Sequence, residues 1–325
     1  MIGEDNQMDT QILQPETSEM RQVLTNTLIK LAETDPRIVV LDADLMSAAG
    51  TKPFYAQYPD RGINCGVQEA NMIGVAAGMS ACGKVPFTHT FGTFSTRRAC
   101  DQIFLSGAYA RLNVKILGSD PGVTAALNGG THMPFEDMGI MRGIPTMTVV
   151  EPTDSTMLVS LLPQIINNYG MYYIRLHRKN AIKIFADGTE FTIGKAAEIQ
   201  DGKDVTIFSI GYCVAESLKA AQILAGKGIS VRVVNMFTVK PIDREAVIKA
   251  AKETGAIVTA ENHNVINGLG SAVAEVLAQE CPTPLEMVGV KDEFGEVGPV
   301  EYLAERFGLV AKNIVEAAEK AIARK

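Results

Sequence analysis

Hydrophobic positions in the first half of the chain alternate between helical spacing and short continuous runs. Apolar residues after Ser18 recur with the period of a helix, and Asp35–Pro36 ends that pattern. A second helix, rich in small residues, begins at Glu69. Continuous apolar runs predict buried strands at 38–41, 85–88, 114–117, 147–150 and 172–176, with a further helix over 97–110 and a glycine-rich loop over 118–135. Strands that alternate with helices indicate parallel βαβ units.

The pattern restarts in the second half, after a stretch of mixed charges and glycines over 178–203. Apolar runs predict strands at 205–210, 231–235 and 257–260, and helical spacing predicts helices at 214–224, 272–278 and 311–323. The sequence therefore predicts an α/β protein with two consecutive parallel-sheet domains, over residues 18–185 and 186–325, and an interdomain linker within 178–203. The polar, unpatterned residues 1–17 predict a flexible N-terminal arm.

Composition narrows the class of protein. The 325 residues are 46% hydrophobic and 21% charged, as in ordinary globular proteins, and the net charge of −7 disfavours binding to nucleic acid or to an anionic membrane. No apolar run approaches the roughly 20 residues that span a bilayer, and the acidic N-terminus lacks the apolar core of a signal peptide. The five cysteines are scattered without a CxxC pair, which is typical of a reducing compartment. We expect a soluble cytoplasmic protein.

Common catalytic motifs are missing from the sequence. It contains no dinucleotide-binding glycine motif after a strand, no phosphate-binding Walker loop and no nucleophile elbow, and its four histidines lack metal-ligand spacing, so no metal site is predicted. The densest polar group in the first half comprises Glu69, Phe91, Phe94 and the loop 128–132, which presents His132. A carboxylic acid beside aromatic faces suits a flat heteroaromatic ligand, because the carboxyl can share a proton with a ring nitrogen.

Several long segments, in order, resemble the transketolase family. They are GVQEANMIGVAAG at 66–78, TFGTFSTRR at 90–98, GTH at 130–132, ENH at 261–263 and GLGSAVAE at 268–275. The resemblance extends over residues 18–325. It implies a thiamin-diphosphate pyrimidine-binding fold followed by a transketolase C-terminal domain, with thiamin diphosphate and Mg²⁺ as cofactors.

The resemblance also implies a missing half. The Gly-Asp-Gly…Asn motif, with which full transketolases hold the diphosphate and Mg²⁺, has no match in this sequence. The chain is therefore similar to the C-terminal section of a split transketolase, whose N-terminal-section partner supplies that domain. We expect the chain to be inactive alone and to work in an α2β2 heterotetramer, with the small-residue helix 70–80 at the self-association surface.

The same resemblance assigns roles around the cofactor. Glu69 matches the catalytic glutamate that hydrogen-bonds the pyrimidine ring, and Phe91 and Phe94 match the aromatic residues that pack on it. His132 matches a second catalytic residue, near both the pyrimidine and the substrate. The cofactor-binding set also includes Arg97 and Asp44. Without the resemblance, each of these residues has an ordinary alternative as a helix-start carboxylate, a core aromatic, a capping histidine or a surface ion pair.

The predicted substrate site departs from the family pattern. Arg21 and Arg178 match arginines that bind the anionic end of a sugar, as a planar guanidinium does well. Asn128 stands where the family has an aspartate, Asp120 where it has a histidine, and Ala48 where it has a serine. An added carboxylate weakens binding of a doubly charged phosphate. We therefore expect an atypical anionic ketose, such as a branched-chain sugar phosphate or a sulfonated sugar, although drift of the pocket without a change of substrate stays open.

Three other functions stay open from sequence. The β subunit of a 2-oxo-acid dehydrogenase has the same two-domain layout and a separate partner. A deoxyxylulose-phosphate synthase is a further relative, although it normally carries its diphosphate domain in the same chain. A catalytically silent scaffold or regulatory homologue is the non-enzyme alternative, which retention of Glu69, Phe91, Phe94 and His132 argues against.

Overall fold

A computed structural model describes residues 13–325 of the chain. Most of the predicted arm, residues 1–12, lies outside the described residues. Residues 13–17 contact the first half of the molecule, since Pro15 forms an isolated antiparallel bridge with Ile182, and the Glu16 carboxylate accepts a hydrogen bond from the Ser155 hydroxyl at 2.6 Å. None of the helices in the described part is long and apolar enough to cross a lipid bilayer.

Twelve strands in the described residues form two sheets, in agreement with the predicted α/β class. The first sheet has the order β10-β5-β6-β4-β3-β1-β2 and the second has the order β12-β11-β8-β9-β7. The strands are β1 Ile38–Asp42, β2 Gly62–Asn64, β3 Val85–Phe91, β4 Lys115–Ser119, β5 Thr148–Val150, β6 Tyr172–Leu176, β7 Ala197–Gln200, β8 Val205–Ser209, β9 Val231–Asn235, β10 Thr238–Lys240, β11 Ile257–Asn264 and β12 Leu285–Val290.

Helices cover both faces of each sheet. In the first half, α1 packs with α8 on one face and α4 lies on the other; in the second half, α9 and α13 share one face. The helices are α1 Met20–Ala32, α2 Met46–Ala49, α3 Lys52–Gln57, α4 Glu69–Ala81, α5 Gly92–Ser95, α6 Cys100–Gln102, α7 Asp137–Gly143, α8 Ser155–Asn167, α9 Cys213–Ala225, α10 Arg244–Thr254, α11 Leu269–Glu280, α12 Val300–Arg306 and α13 Ala311–Ile322. One apolar cluster continues from α4 to α11 and joins the two halves.

The sheets differ from the prediction at their edges. Both were predicted to be parallel, but β10 pairs antiparallel with β5, and β7 pairs antiparallel with β9. An antiparallel edge strand on an otherwise parallel sheet is common. β7 lies within the stretch predicted to be a linker. β10 belongs to the second half of the sequence but completes the first sheet.

Two helix predictions also differ from the structure. The pattern after Ser18 predicts that Ser18 caps the first helix. In the structure the N-cap is the next residue, Glu19, because it forms a reciprocal capping box with Gln22. The helix predicted over 97–110 is instead the short α6 followed by a π-helical segment, Ile103–Tyr109. Gly107 is a weak helix former, and the wider turn places it directly against Met171.

Candidate active site

Five neighbouring strands of the first sheet bring the candidate residues to one edge. In the order β6-β4-β3-β1-β2 they run parallel, so their carboxyl ends lie side by side. The candidate residues at or just beyond these ends are, in the same order, Arg178, Asp120, Phe91, Asp44 and Glu69. Ligands of open α/β sheets bind in the crevice outside the carboxyl ends of the strands.

Glu69 is a buried carboxylate with one charged partner. It is the first residue of α4, where the helix macrodipole favours a negative charge, and only 4% of it is exposed. Its Oε1 accepts a hydrogen bond from Nη1 of Arg98 at 2.7 Å. The Arg98 guanidinium is half-exposed and lies 3.9 Å from the centre of the Phe94 ring, a cation–π contact. The acid and the aromatic ring are therefore held together by one arginine.

Three aromatic side chains form the next part of the site. The ring centres of Phe91 and Phe94 lie 6.0 Å apart, and that of His132 lies 5.5 Å from Phe91 and 5.0 Å from Phe94. All three contacts are edge-to-face, the geometry that the ring quadrupoles favour. All three side chains are only partly buried. The His132 Nδ1 lies 2.9 Å from the Thr131 hydroxyl. The cluster presents apolar faces beside the Glu69 carboxyl.

The two predicted anion-binding arginines lie together beyond Phe91. Arg178 makes two contacts to the Asp120 carboxylate, Nε to Oδ1 at 2.9 Å and Nη2 to Oδ2 at 2.8 Å, and its guanidinium lies 5.4 Å from the Phe91 ring centre. Both Arg21 and Arg178 donate to the Ala48 carbonyl oxygen, at 2.7 and 3.4 Å. The Asn128 amide lies 3.5 Å from Asp120 Oδ2.

The Asp120 carboxyl has little contact with solvent. Burial raises the pKa of this carboxyl above its ordinary value, although the hydrogen bond and charge of Arg178 act in the opposite direction. Further charges surround the pair. Glu19 lies between Arg21 and Lys179, with a distance of 3.0 Å to the Lys179 ammonium. Three cations therefore face two carboxylates at this end of the site.

Two predicted cofactor residues lie at the margin of this arrangement. Asp44 is exposed and adopts a left-handed conformation with φ of 60°, held by two hydrogen bonds with the Asn64 side chain. Arg97 forms an ion pair with Glu136, 3.1 Å from Nη1 to Oε1. Arg98, the adjacent residue, is the arginine that contacts Glu69. The two arginines are neighbours in an irregular turn between α5 and α6, where no periodicity indicates which side chain points inward.

His89 is a buried histidine near Arg178 and Arg21 that was not among the predicted site residues. It lies on β3, and no described residue is within hydrogen-bond distance of either ring nitrogen. Burial lowers the pKa of His89 to about 3, and the positive charges of Arg178 and Arg21 act in the same direction. The imidazole is therefore neutral near pH 7. Its position two residues before Phe91, on a strand, was the available signal, since alternate strand residues share a face.

The residues present fit the aminopyrimidine of thiamin diphosphate, the cofactor that the resemblance implies. A buried carboxyl at a helix start can share a proton with a ring nitrogen, and Phe91, Phe94 and His132 offer partly exposed rings next to it. The arginines beyond Phe91 extend the site toward an anionic group. The arrangement combines a site for a flat heteroaromatic ring with one for a small anion.

Two family profiles match the chain. The family described as transketolase, pyrimidine binding domain, matches residues 16–183, and the family described as transketolase, C-terminal domain, matches residues 194–314.

Curated relatives and a solved structure are also similar. The chain is 57% identical over 306 residues to the 6-deoxy-6-sulfo-D-fructose transketolase subunit SqwH of Clostridium sp. (strain MSTE9), covering 94% of this chain and 95% of that protein. It is 34% identical over 299 residues to one of the subunits of the apulose-4-phosphate transketolase of Phocaeicola vulgatus, with 92% and 96% covered. A solved chain described as a split gene transketolase, inactive beta4 tetramer, matches with a TM-score of 0.88 and 42% identity, over 94% of this chain and 99% of that one.

Proposed function

The chain belongs to the transketolase family, as a homologue of split-transketolase subunits, and from that premise we propose its reaction and substrate. In this proposal it moves a two-carbon ketol unit from a sulfonated ketose to an aldose. Its domain organisation is a pyrimidine-binding domain over 18–185 and a C-terminal domain over 186–325. A separate subunit completes the active site.

The cofactor is thiamin diphosphate with Mg²⁺, which supplies the reactive carbon and the electron sink for ketol transfer. In this chain Glu69 holds a proton at the pyrimidine nitrogen, and Arg98 keeps the Glu69 carboxyl in place. Phe91 and Phe94 orient the ring. His132 donates a hydrogen bond to an oxygen of the ketose, beside the reacting carbon. This arrangement is supported by the 5.0–6.0 Å spacing of the three rings.

The partner is a subunit that carries the diphosphate-binding domain and most of the Mg²⁺ ligands. Two observations support this. The matches cover 95% and 96% of two relatives that are named as transketolase subunits, and a similar solved chain is described as a split gene transketolase, inactive beta4 tetramer. We propose an α2β2 assembly in the cytoplasm. The purified chain alone is expected to show no ketol transfer, and addition of the partner is expected to produce it.

The charge around Asp120 supports a sulfonated ketose. Arg21, Arg178 and Lys179 face Glu19 and Asp120, which leaves one net positive charge. A sulfonate carries a single negative charge throughout the accessible pH range, whereas a phosphate monoester carries about −1.5 to −2 at pH 7. One net positive charge therefore matches a sulfonate better. The 57% identity to a 6-deoxy-6-sulfo-D-fructose transketolase subunit points the same way.

The test compares three donors with the same assembled complex. 6-Deoxy-6-sulfo-D-fructose and fructose 6-phosphate differ in the anionic group, and xylulose 5-phosphate is the ordinary transketolase donor. We expect the highest kcat/KM for the sulfonated ketose. A higher kcat/KM for xylulose 5-phosphate than for the sulfonated ketose would refute the substrate proposal while leaving the transketolase activity intact. A branched ketose phosphate, included as a fourth donor, tests the other atypical class.

A charge variant makes the comparison sharper. In Asp120→Asn the carboxylate is neutralised at almost constant size, so the net positive charge of the subsite rises by one. The kcat/KM ratio of fructose 6-phosphate to the sulfonated ketose is expected to rise about tenfold, which corresponds to about 1.4 kcal/mol. Asp35→Asn, at an exposed ion pair with Arg37, is the control and leaves the ratio unchanged. An unchanged ratio in Asp120→Asn would show that this carboxylate does not select the anion.

A further inference from the structure

The loop that carries the substrate residues has a strained backbone. This substrate loop, residues 120–136, connects β4 to α7 and contains Asp120, Asn128 and His132. Asp120 and Ala126 have φ of 57° and 48°, in the left-handed region that non-glycine residues rarely adopt, and Gly122 has φ of 50°. Each such non-glycine residue costs about 1–3 kcal/mol, so contacts outside the loop must hold it in place.

One buried side chain of the second half, Asn262, makes two hydrogen bonds to the backbone of the substrate loop. Asn262, near the end of β11, is fully buried and hydrogen-bonds the loop backbone on both sides of Gly122. Its Nδ2 donates to the Pro121 carbonyl oxygen at 2.8 Å, and its Oδ1 accepts from the Val123 N–H at 2.9 Å. A methyl group at Gly122, between these two residues, would overlap the Asn262 amide oxygen. The strained turn is therefore built around this amide.

The other end of the substrate loop is tied to the same strand. The Asn264 N–H donates to the Phe135 carbonyl oxygen at 2.9 Å. Arg175 Nη2 donates to the carbonyl oxygens of both Pro134 and Asn262, at 3.2 and 2.8 Å. Both ends of the loop are thus fixed to β11. Of the contacts between β11 and the loop, that of Asn262 with Pro121 lies nearest to Asp120 in sequence, since Pro121 directly follows Asp120.

We propose that Asn262 is a positioning residue for donor binding. By holding Pro121 and Val123, it sets the place of Asp120, and with it the Arg178 ion pair and Asn128. This gives the C-terminal domain a role in substrate recognition through a side chain that does not touch the substrate. An asparagine suits the task because its amide is donor and acceptor at once. The kinetic part rests on the proposed function, while the effect on the loop does not.

The matched control is another buried asparagine that joins the two halves. Asn235, on β9, donates from Nδ2 to the Thr153 hydroxyl at 2.7 Å, and its hydrogen bonds do not involve the substrate loop. Asn262→Ala and Asn235→Ala each remove a buried interdomain amide. A merely structural role predicts similar consequences for the two variants. A positioning role predicts that only Asn262→Ala changes the loop and the donor KM.

Two measurements on the complex with the partner subunit test the inference. Hydrogen–deuterium exchange of the amides over 121–133 is expected to be at least tenfold faster in Asn262→Ala and unchanged in Asn235→Ala. The KM for the donor ketose is expected to rise at least tenfold in Asn262→Ala, with a smaller change in kcat. Asn262→Asp keeps the acceptor for Val123 and gives the same readouts should Asn262→Ala fail to fold.

The outcomes separate this inference from the proposed function. Equal loop exchange in Asn262→Ala and Asn235→Ala would overturn the positioning role. Faster loop exchange with an unchanged donor KM would overturn the link to donor binding. Should the wild-type complex transfer no ketol unit from any donor, the proposed function would fail, while hydrogen exchange would still decide whether Asn262 holds the substrate loop.

Discussion

Arg175 and Arg178 lie three residues apart in sequence, yet Arg175 is enclosed in the protein interior and Arg178 lies at the candidate site. Arg175, in β6, is fully buried and donates to Asp137 at 2.8 Å and to Glu151 at 2.9 Å. Arg178, just beyond the same strand, is partly exposed and has a single carboxylate partner, Asp120. Strand residues inside the sheet are enclosed by packing, whereas residues past its carboxyl end face the ligand crevice.

The difference teaches how one residue type serves two tasks. Burial is the largest single influence on Asp137 and raises its pKa, but the charges of Arg175 and His263 and the hydrogen bonds from Arg175 and Tyr173 together outweigh burial and lower the pKa, so the carboxylate stays ionised inside the protein. Each of the three nitrogens of the Arg175 guanidinium donates to a protein acceptor. Arg178 is partly exposed, and its Nη1 has only a long contact, 3.4 Å, with the Ala48 carbonyl oxygen. In the proposed function its carboxylate partner, Asp120, sets the charge that the donor meets, whereas Asp137 and Glu151 balance the charge of Arg175 inside the protein.

The largest expected effect follows from removing the enclosed arginine. Arg175→Met leaves Asp137 and Glu151 buried without their cation and frees the carbonyl oxygens of Pro134 and Asn262. Breaking a buried ion pair in this way costs about 3–5 kcal/mol of the free energy of unfolding. Urea unfolding followed by circular dichroism measures it. Adding Asp137→Asn and Glu151→Gln in the same chain is expected to recover part of the loss. A change below about 1 kcal/mol in the single variant would show that the network is not stabilising.

Glu69 and Arg98 form a third pair, in which the carboxylate is buried but the arginine is open to solvent. Glu69→Gln keeps the size and a hydrogen-bond acceptor for Arg98, but an amide cannot share a proton with the pyrimidine ring. We expect turnover of the assembled complex to fall by about 10²–10⁴-fold with little change in melting temperature. Near-wild-type turnover would contradict the catalytic role of Glu69. His132→Ala is expected to be milder, near the lower end of that range.

The open arginine is expected to affect binding more than stability. Arg178→Met loses a charge-assisted hydrogen bond to the anionic end of the donor, worth about 1.5–3 kcal/mol, so the donor KM is expected to rise about 10- to 150-fold. Its stability loss is expected to be less than half that of Arg175→Met, since Asp120 faces the site and can take up a proton. Arg37→Met, at an exposed pair, controls for loss of charge. Equal losses in the free energy of unfolding for Arg175→Met and Arg178→Met would contradict the view that Arg175 serves stability and Arg178 serves binding.

Sequence patterns predicted the interior of both sheets well. The strands at 231–235 and 38–41 coincide with β9 and β1 to within a residue, because short segments rich in valine and isoleucine indicate buried parallel strands locally. The predicted resemblance to transketolases is confirmed by the family profiles. β10 was not predicted: it has three residues, and its pairing with β5 depends on contacts far apart in sequence. The helix α8 was missed as well, although its apolar residues recur at helical spacing and Asp154 caps it.

The candidate site residues were predicted from motif matches, whereas the contacts between them were not. Motif matches identified Glu69. This residue begins α4, just after β2, and the sheet topology places β2 beside β1 and so near the strands that precede the other candidates. Which of two adjacent arginines contacts Glu69 depends on the local turn: Arg98 makes this contact, whereas Arg97, which was predicted to bind the cofactor, pairs with Glu136. Asn262 belonged to a recognised motif, but its partners are about 140 residues away. Such contacts depend on how the two sheets pack together, and a local sequence pattern does not predict that packing.

The smallest expected effect concerns His89, which lies near Arg178 and is kept neutral by burial and by the nearby arginines. In the unfolded chain a histidine has a pKa near 6.5, whereas in the folded protein the pKa of His89 is about 3. The unfolded state therefore binds the extra proton between these values. The stability that His89 contributes is fully present above pH 6.5 and is lost on acidification by about 1.4 kcal/mol per pH unit.

The comparison of wild type with His89→Gln isolates this histidine from the other titrating groups. The variant cannot take up the proton, so the wild-type stability relative to the variant is expected to fall steadily between pH 6.5 and 4.5. Urea unfolding at several pH values in that interval measures the slope. Thr88→Val, at the adjacent buried position of β3, carries no titratable group and is expected to give a difference that is independent of pH. A flat difference for His89→Gln would show that His89 is solvated or hydrogen-bonded when protonated, and that Arg178 and Arg21 do not act on it.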